Sequence, residues 1–208
     1  MEKRVIAISG LPGSGSTTAS KILAEKLNLN LFSPGRLFKD IASGNFKDKY
    51  YSKLFDEICR SKRVEIPVFK SEGDSHGALN LWNTNFGKSK KFHEAIDELQ
   101  IKLAEQGDII FDGKLSLHMI KNAFPKIWLT ASLEKRAERI SEREKLKLKE
   151  ARKIVEQRQN AERLEWKNIY DVDYWQQESK ADIIINTSDL NQEQVAEKIL
   201  SFNTINFK

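Results

Sequence analysis

A single cysteine, Cys59, occurs in the 208 residues of this chain. No internal disulfide can form, and a reducing cytoplasm is the expected setting. No acid–base pattern surrounds Cys59, so it is expected to be inert. Histidine is almost as sparse. His76, His93 and His118 stand far apart without ligand spacing, so a histidine-built metal centre is not expected. No stretch approaches the ~18 apolar residues of a membrane span, and the opening "MEKRVIAISG" has too short an apolar run for a secretion signal. Internal repeats are lacking as well.

What is present is charge. Charged residues make up 31% of the chain and apolar residues 39%, with a net charge of +5. That balance suits a soluble globular protein with an anionic ligand. The positive charges interleave with glutamate, as in "EKRAERISEREKLKLKE". Such a run reads first as a solvated helix laced with ion pairs and second as a polyanion-binding stripe. Neither a nucleic acid nor a membrane is expected as partner, and a monomer is expected.

The apolar pattern alternates between two periods. "RVIAIS" (4–9), "LNLFS" (29–33), "DIIFDG" (108–113), "PKIWLTA" (125–131) and "DIIINTS" (182–188) are short, nearly unbroken apolar runs. Runs of this kind fit parallel strands covered on both faces. Helical segments lie between them, starting from Thr17 with a stripe of Ala19, Ile22, Leu23 and Leu27. Strands alternating with helices predict a doubly wound parallel sheet. Two stretches interrupt the rhythm: a loop-rich insertion over 44–92, with a helical piece at 49–62, and a long charged helical region over 132–170. A single domain spanning 1–208 accommodates both. The tail "SFNTINFK" is expected to fray.

The chemistry begins at "SGLPGSGSTT" (9–18). It follows a strand, opens a helix and nearly spells the phosphate-cradling pattern G-x-x-x-x-G-K-[ST]. Gly10, Gly13 and Gly15 supply the tight turn, with Leu11, Pro12 and Ser14 between them. Backbone N–H groups of such a turn, with the helix dipole behind them, hold phosphate. Thr17 occupies the position whose hydroxyl holds Mg²⁺, followed by Thr18. Ser16 stands where the pattern has lysine. The backbone cradle does not need that lysine, but a catalyst must then find positive charge elsewhere.

The loop and several further segments resemble the nucleoside monophosphate kinases, specifically the archaeal-type cytidylate kinases. In that family "GLPGSG" is followed by a small hydroxyl residue or lysine and then "TT". "LFSPGRLFKDIA" (31–42) is similar to the family's S-x-G-x-x-F-R segment, with Lys39 at the arginine position. "AIDELQIKLAEQGDIIFDGKLS" places Lys114 where an arginine is expected. "KIWLTASLEKRAERISERE", "IYDVD" and "ADIIINTS" match closely. "RQNAERLEW" keeps Arg158 and Glu162 of the family pattern and has Glu165 in place of its second arginine. The resemblance covers residues 4–43 and 93–200.

It implies a P-loop NTPase-type, doubly wound, five-stranded parallel sheet with helices on both faces, an acceptor-side insertion at 44–92 and a helical lid at 132–170. It implies Mg²⁺-dependent phosphoryl transfer from ATP to a nucleoside monophosphate, CMP or dCMP first. Another acceptor such as AMP, or a nucleotide-binding protein without turnover that acts through a partner, are the alternatives.

Phosphoryl transfer asks for positioning and positive charge. Arg136, Arg139 and Arg143 recur at i, i+3 and i+7 and share one helix face. With Arg158 on the following stretch they read as a lid over the phosphates or as an ion-pair ladder with Glu138, Glu142 and Glu144. The resemblance favours Arg139, Arg143 and Arg158 as catalytic. Asp112 ends a strand, where it either orients Mg²⁺ beside Thr17 or caps a turn. Ser33, Lys39, Asp97 and Lys114 are the acceptor-side candidates. Trp82, Trp166 and Trp175 either stack a base or pack internally.

Overall fold

In a computed structural model of the chain, residues 3–69 and 80–202 are described. Five strands form one sheet in the order β2-β3-β1-β4-β5. They are β1 (Val5–Gly10), β2 (Asn30–Phe32), β3 (Ile109–Asp112), β4 (Lys126–Thr130) and β5 (Ile183–Asn186). The β1–β3, β1–β4 and β4–β5 pairs are parallel. β2 to β5 lie within their expected runs and β1 extends its run by one residue, Gly10; β1 and β3 are buried throughout.

Period two along β4 sorts its side chains. Ile127 and Leu129 join Ile6, Ile8 and Ile110 in a core closed by Leu23 of α1 (Ser16–Leu27) and by Val195 and Ile199 of α8 (Gln192–Leu200). Trp128 lies between Ile127 and Leu129, is fully buried and packs its ring 5.4 Å from that of Tyr174. Tyr174 opens a 3-10 turn, Tyr174–Lys180.

The chain divides into two compact units, residues 1–31 with 108–208 and residues 32–107. The second unit contains α2 (Pro34–Ala42), a 3-10 turn (Asn45–Asp48), α3 (Ser52–Ser61) and α4 (Lys90–Gln106). Its interior is aromatic: Phe92 lies 5.3 Å from Phe38 and 4.3 Å from Phe86. Asp40 is buried there and accepts from Arg36 Nε at 2.9 Å and from the Tyr51 hydroxyl at 3.3 Å. The helical piece expected at 49–62 is α3. Within the expected insertion, residues 70–79, His76 among them, lie outside the described residues, as does the tail from 203.

The first unit also carries α5 (Ser116–Met119), α6 (Leu133–Glu144) and α7 (Leu148–Tyr170). The charged stretch therefore forms a hairpin and not one rod. Lys145 takes a left-handed conformation (φ 54°), and Leu146 N–H closes on the Ser141 carbonyl at 3.0 Å. The reason is burial. Ile140 packs with Ala151 and Val155, positions that a straight helix would hold some 16–22 Å apart at ~1.5 Å per residue.

Candidate functional site

Gly10 is the last residue of β1, where the loop leaves the sheet. Its backbone lies so close to β4 that a Cβ would stand 2.4 Å from the Leu129 carbonyl and 2.6 Å from Ser14 Oγ. No side chain fits there. Gly15 precedes α1 with φ +94°, a conformation L-residues rarely take. A Cβ on Gly15 would meet no protein atom within 4 Å. The room beside it is that of the cradle.

Helix α1 starts directly from this glycine. No side chain caps it and its first turn holds no acidic residue, whereas Ser132 caps α6 and Asn191 forms a capping box on α8. The first N–H groups of α1 thus remain for an anion.

The outer side of the loop is held by α6 and β5. Arg136 is buried; its Nε donates to the Ala131 carbonyl at 3.1 Å and its Nη1 to that of Pro12 at 3.3 Å. Arg139 Nη1 reaches the Gly13 and Ser14 carbonyls, each at 3.3 Å. The Thr187 hydroxyl, fully buried just past β5, donates to the Ser14 carbonyl at 2.9 Å and accepts from Arg139 Nη1 at 2.9 Å. In a trans peptide the N–H points opposite to the carbonyl of the preceding residue. Holding the Pro12 and Ser14 carbonyls outward therefore turns the Gly13 and Gly15 N–H groups inward, while the Ser14 N–H closes the turn on the Leu11 carbonyl at 2.9 Å. Arg136 was expected on the lid face and instead holds the loop from behind, and Thr187 had no assigned role. Thr187 was marked only by its place at the carboxyl end of a parallel strand, where ligand sites gather.

Asp112 is buried at the end of β3, within reach of the hydroxyls of Thr17 and Ser16. Burial raises its pKa. The two hydroxyls and the charges of Lys114 and Lys21 oppose that rise. The two expected metal-side groups are thus together, and they offer a carboxylate and a hydroxyl. Hard oxygen donors of this kind suit Mg²⁺, which commonly takes one or two protein oxygens and leaves its other positions to phosphate and water. Among the described residues there is no cluster of three or more carboxylates, histidines or cysteines fit for a metal.

Lys114 follows two residues later. Its carbonyl accepts from Ser9 Oγ at 3.0 Å and from Gln177 Nε2, which pins the backbone. Its ammonium donates to the Gly10 carbonyl at 3.2 Å and to the Tyr174 hydroxyl at 3.3 Å, and pairs with Glu162 at 3.2 Å. Tyr174 itself donates to the Gly10 carbonyl. Burial lowers the ammonium's pKa, and Glu162 opposes the fall. The family pattern puts this position toward the acceptor, whereas the side chain here is turned to the start of the phosphate loop.

The remaining candidates separate. Arg143 pairs with Glu144 at 2.6 Å and Arg158 with Glu162 at 2.9 Å, and both are more than half exposed. Arg139, by contrast, is spent on the loop and β5. In the second unit the Ser33 hydroxyl accepts from Arg36 N–H as the cap of α2, Lys39 lies in the last turn of that helix, and Asp97 Oδ1 accepts from Gln100 at 3.5 Å. Trp82 packs 5.2 Å from both Phe38 and His93, Trp166 lies 5.9 Å from Tyr170, and Trp175 carries Arg163 5.3 Å above its ring.

A parallel sheet in this order, with a glycine loop feeding an uncapped helix at its centre, defines a P-loop phosphotransferase fold. Solved structures share it: the chain superposes on the shikimate kinases of Acinetobacter baumannii, in complex with shikimate (TM-score 0.53, 16% identity, covering 99% of this chain and 96% of that one), and of Bacteroides thetaiotaomicron (TM-score 0.52, 13% identity, 98% and 99%). Sequence comparison is more specific. Residues 5–189 match the model of the cytidylate kinase-like family. The chain is similar to the cytidylate kinases of Pyrococcus horikoshii (31% identity, covering 93% of this chain and 85% of that one) and Methanococcus aeolicus (34% identity, 92% of each). The chain belongs to the cytidylate kinase-like family.

Proposed function

We propose that the protein transfers the γ-phosphoryl group of ATP to CMP or dCMP, giving ADP and the nucleoside diphosphate. The observation that carries this reading is the loop itself: an uncapped helix N-terminus behind a turn whose Pro12, Gly13 and Ser14 carbonyls are held from outside. The inward N–H groups bind the ATP phosphates. Thr17 and Asp112 hold Mg²⁺, which when bound neutralises charge between the phosphates. Arg143 and Arg158 are exposed enough to exchange their carboxylate partners for the moving phosphoryl group, where such an arginine is worth about 10³–10⁵ in rate. Ser33, Lys39 and Asp97 serve the acceptor. The chain works as one kinase domain over 1–208, with 44–92 on the acceptor side and 132–170 as the lid. Among the described residues no helix is long and apolar enough to cross a membrane; a cytoplasmic monomer is the setting proposed.

Specificity follows from hydrogen bonding. A site that pairs the polar edge of cytosine leaves groups unpaired when it meets a purine. The expected preference for CMP over AMP and GMP is about 10²-fold in kcat/KM. UMP is the hardest competitor, since only one ring edge differs. Every nucleoside monophosphate is offered with Mg-ATP and ADP release is followed. Equal or greater kcat/KM for AMP contradicts the cytidylate reading. No acceptor-dependent release at all contradicts turnover.

A further inference from the structure

Position 16 carries no charge. The Ser16 hydroxyl lies beside the Asp112 carboxylate. The same carboxylate feels the charge of Lys114, whose ammonium lies 3.2 Å from the carbonyl of Gly10, the residue that opens the phosphate loop. A cation is therefore present at the loop, supplied from the turn after β3.

Its placement is built. Ser9 and Gln177 fix the Lys114 carbonyl, and Tyr174 shares the Gly10 carbonyl with the ammonium and also accepts from it. Gln177 and Tyr174 are both fully buried. Glu162 balances the charge while it also holds Arg158 at 2.9 Å. One carboxylate thus serves two cations, so that incoming phosphate oxygens compete for both with a single anion.

We propose that Lys114 is the surrogate for the lysine the phosphate loop lacks: it binds the ATP phosphates from outside the loop and so belongs to the donor side of the reaction. This rests on the reading of residues 10–18 as the ATP site, but not on the identity of the acceptor. Tyr174 and Glu162 are its positioning residues.

The test is equilibrium binding of Mg-ATP to the full chain with no acceptor present. Lys114→Met should weaken binding by about 10- to 100-fold, the worth of a charge-assisted hydrogen bond. Lys114→Gln keeps a donor for Gly10 and Tyr174 and should fold even where methionine disrupts the network, yet it should lose most of the same affinity. Lys114→Arg should retain it. Ser16→Lys added to Lys114→Gln should restore binding, because the charge returns from the loop side. Wild-type ATP affinity in Lys114→Gln, with the loss confined to KM for CMP, would overturn the proposal and return Lys114 to the acceptor. The readout needs no turnover, so failure of the wild type to phosphorylate CMP is seen separately.

Discussion

Arg136 and Arg143 ride one face of one helix, two turns apart, and do different work. At the base of α6, Arg136 is buried and Arg139 half-buried; Arg136 donates to the Ala131 and Pro12 carbonyls, and Arg139 to the Gly13, Ser14 and Thr187 carbonyls and the Thr187 hydroxyl. At the tip, Arg143 and, on α7, Arg158 are more than half exposed and hold carboxylates. A guanidinium fixed to carbonyls cannot leave them without orphaning buried acceptors. Arg143, paired with the exposed Glu144, exchanges partners at little cost, and Arg158 is itself more than half exposed although its partner Glu162 is largely buried. The base holds the loop, and in the proposed function the tip is what acts on the phosphates.

The strongest way to break this comparison is to fill the cradle that the base orders. Gly15→Val puts a branched side chain into the open room beside the loop and strains the backbone at φ +94°. Mg-ATP binding should be abolished in a protein that keeps its circular dichroism, and calorimetry should find no heat of binding. Unchanged affinity in the folded variant would move the ATP site elsewhere.

The tip comes next. Arg143→Ala and Arg158→Ala should each lower kcat by ~10²-fold or more and leave thermal stability nearly unchanged, as for contacts made in the transition state. Steady-state kinetics beside melting curves checks both halves of that statement.

A smaller effect belongs to the base. Thr187→Val deletes the hydroxyl that holds the Ser14 carbonyl and keeps the shape. ATP affinity should fall by roughly 10-fold, the worth of a buried hydrogen bond left unmade. Thr187→Ser should recover it. Equal affinity in valine and serine variants would mean that the brace does not order the N–H groups.

The smallest effect sharpens the contrast with the second unit, where a titratable ring is buried among aromatic side chains. His93 is enclosed beside Phe38 and Trp82, with Nε2 at 3.0 Å from the Gly87 carbonyl. Burial lowers its pKa below the ordinary 6.5. As pH falls through the unfolded-state value, the unfolded chain takes up the proton first, so stability present above that value is lost below it. The urea midpoint should drop between pH ~7 and ~5, and His93→Gln should flatten that drop.

The strands were legible because an apolar run in a parallel sheet needs nothing beyond itself to be recognised. The cradle was legible because its glycines and Thr17 are local in sequence. Thr17 and Asp112 were expected to share a site, since both sit at carboxyl ends of strands or just beyond, and the structure sets their side chains beside each other. The brace was not legible. Arg139 meets Thr187 across 48 residues and Tyr174 meets Gly10 across 164, and no spacing rule announces such a pairing. The shared face of Arg136, Arg139 and Arg143 was read correctly, but helical phase does not tell which turn of a face is buried. The break at Lys145 was hidden for the same reason. It serves the contact of Ile140 with Ala151 and Val155, which appears only once the chain has folded back.

The division of labour between base and tip is tested most directly on the double variant Arg143→Ala/Arg158→Ala, with Mg-ATP affinity and single-turnover transfer to CMP measured on the same preparation. The account predicts binding within about 3-fold of wild type and transfer slowed by at least ~10²-fold. Affinity and transfer rate falling together, or neither changing, would contradict it.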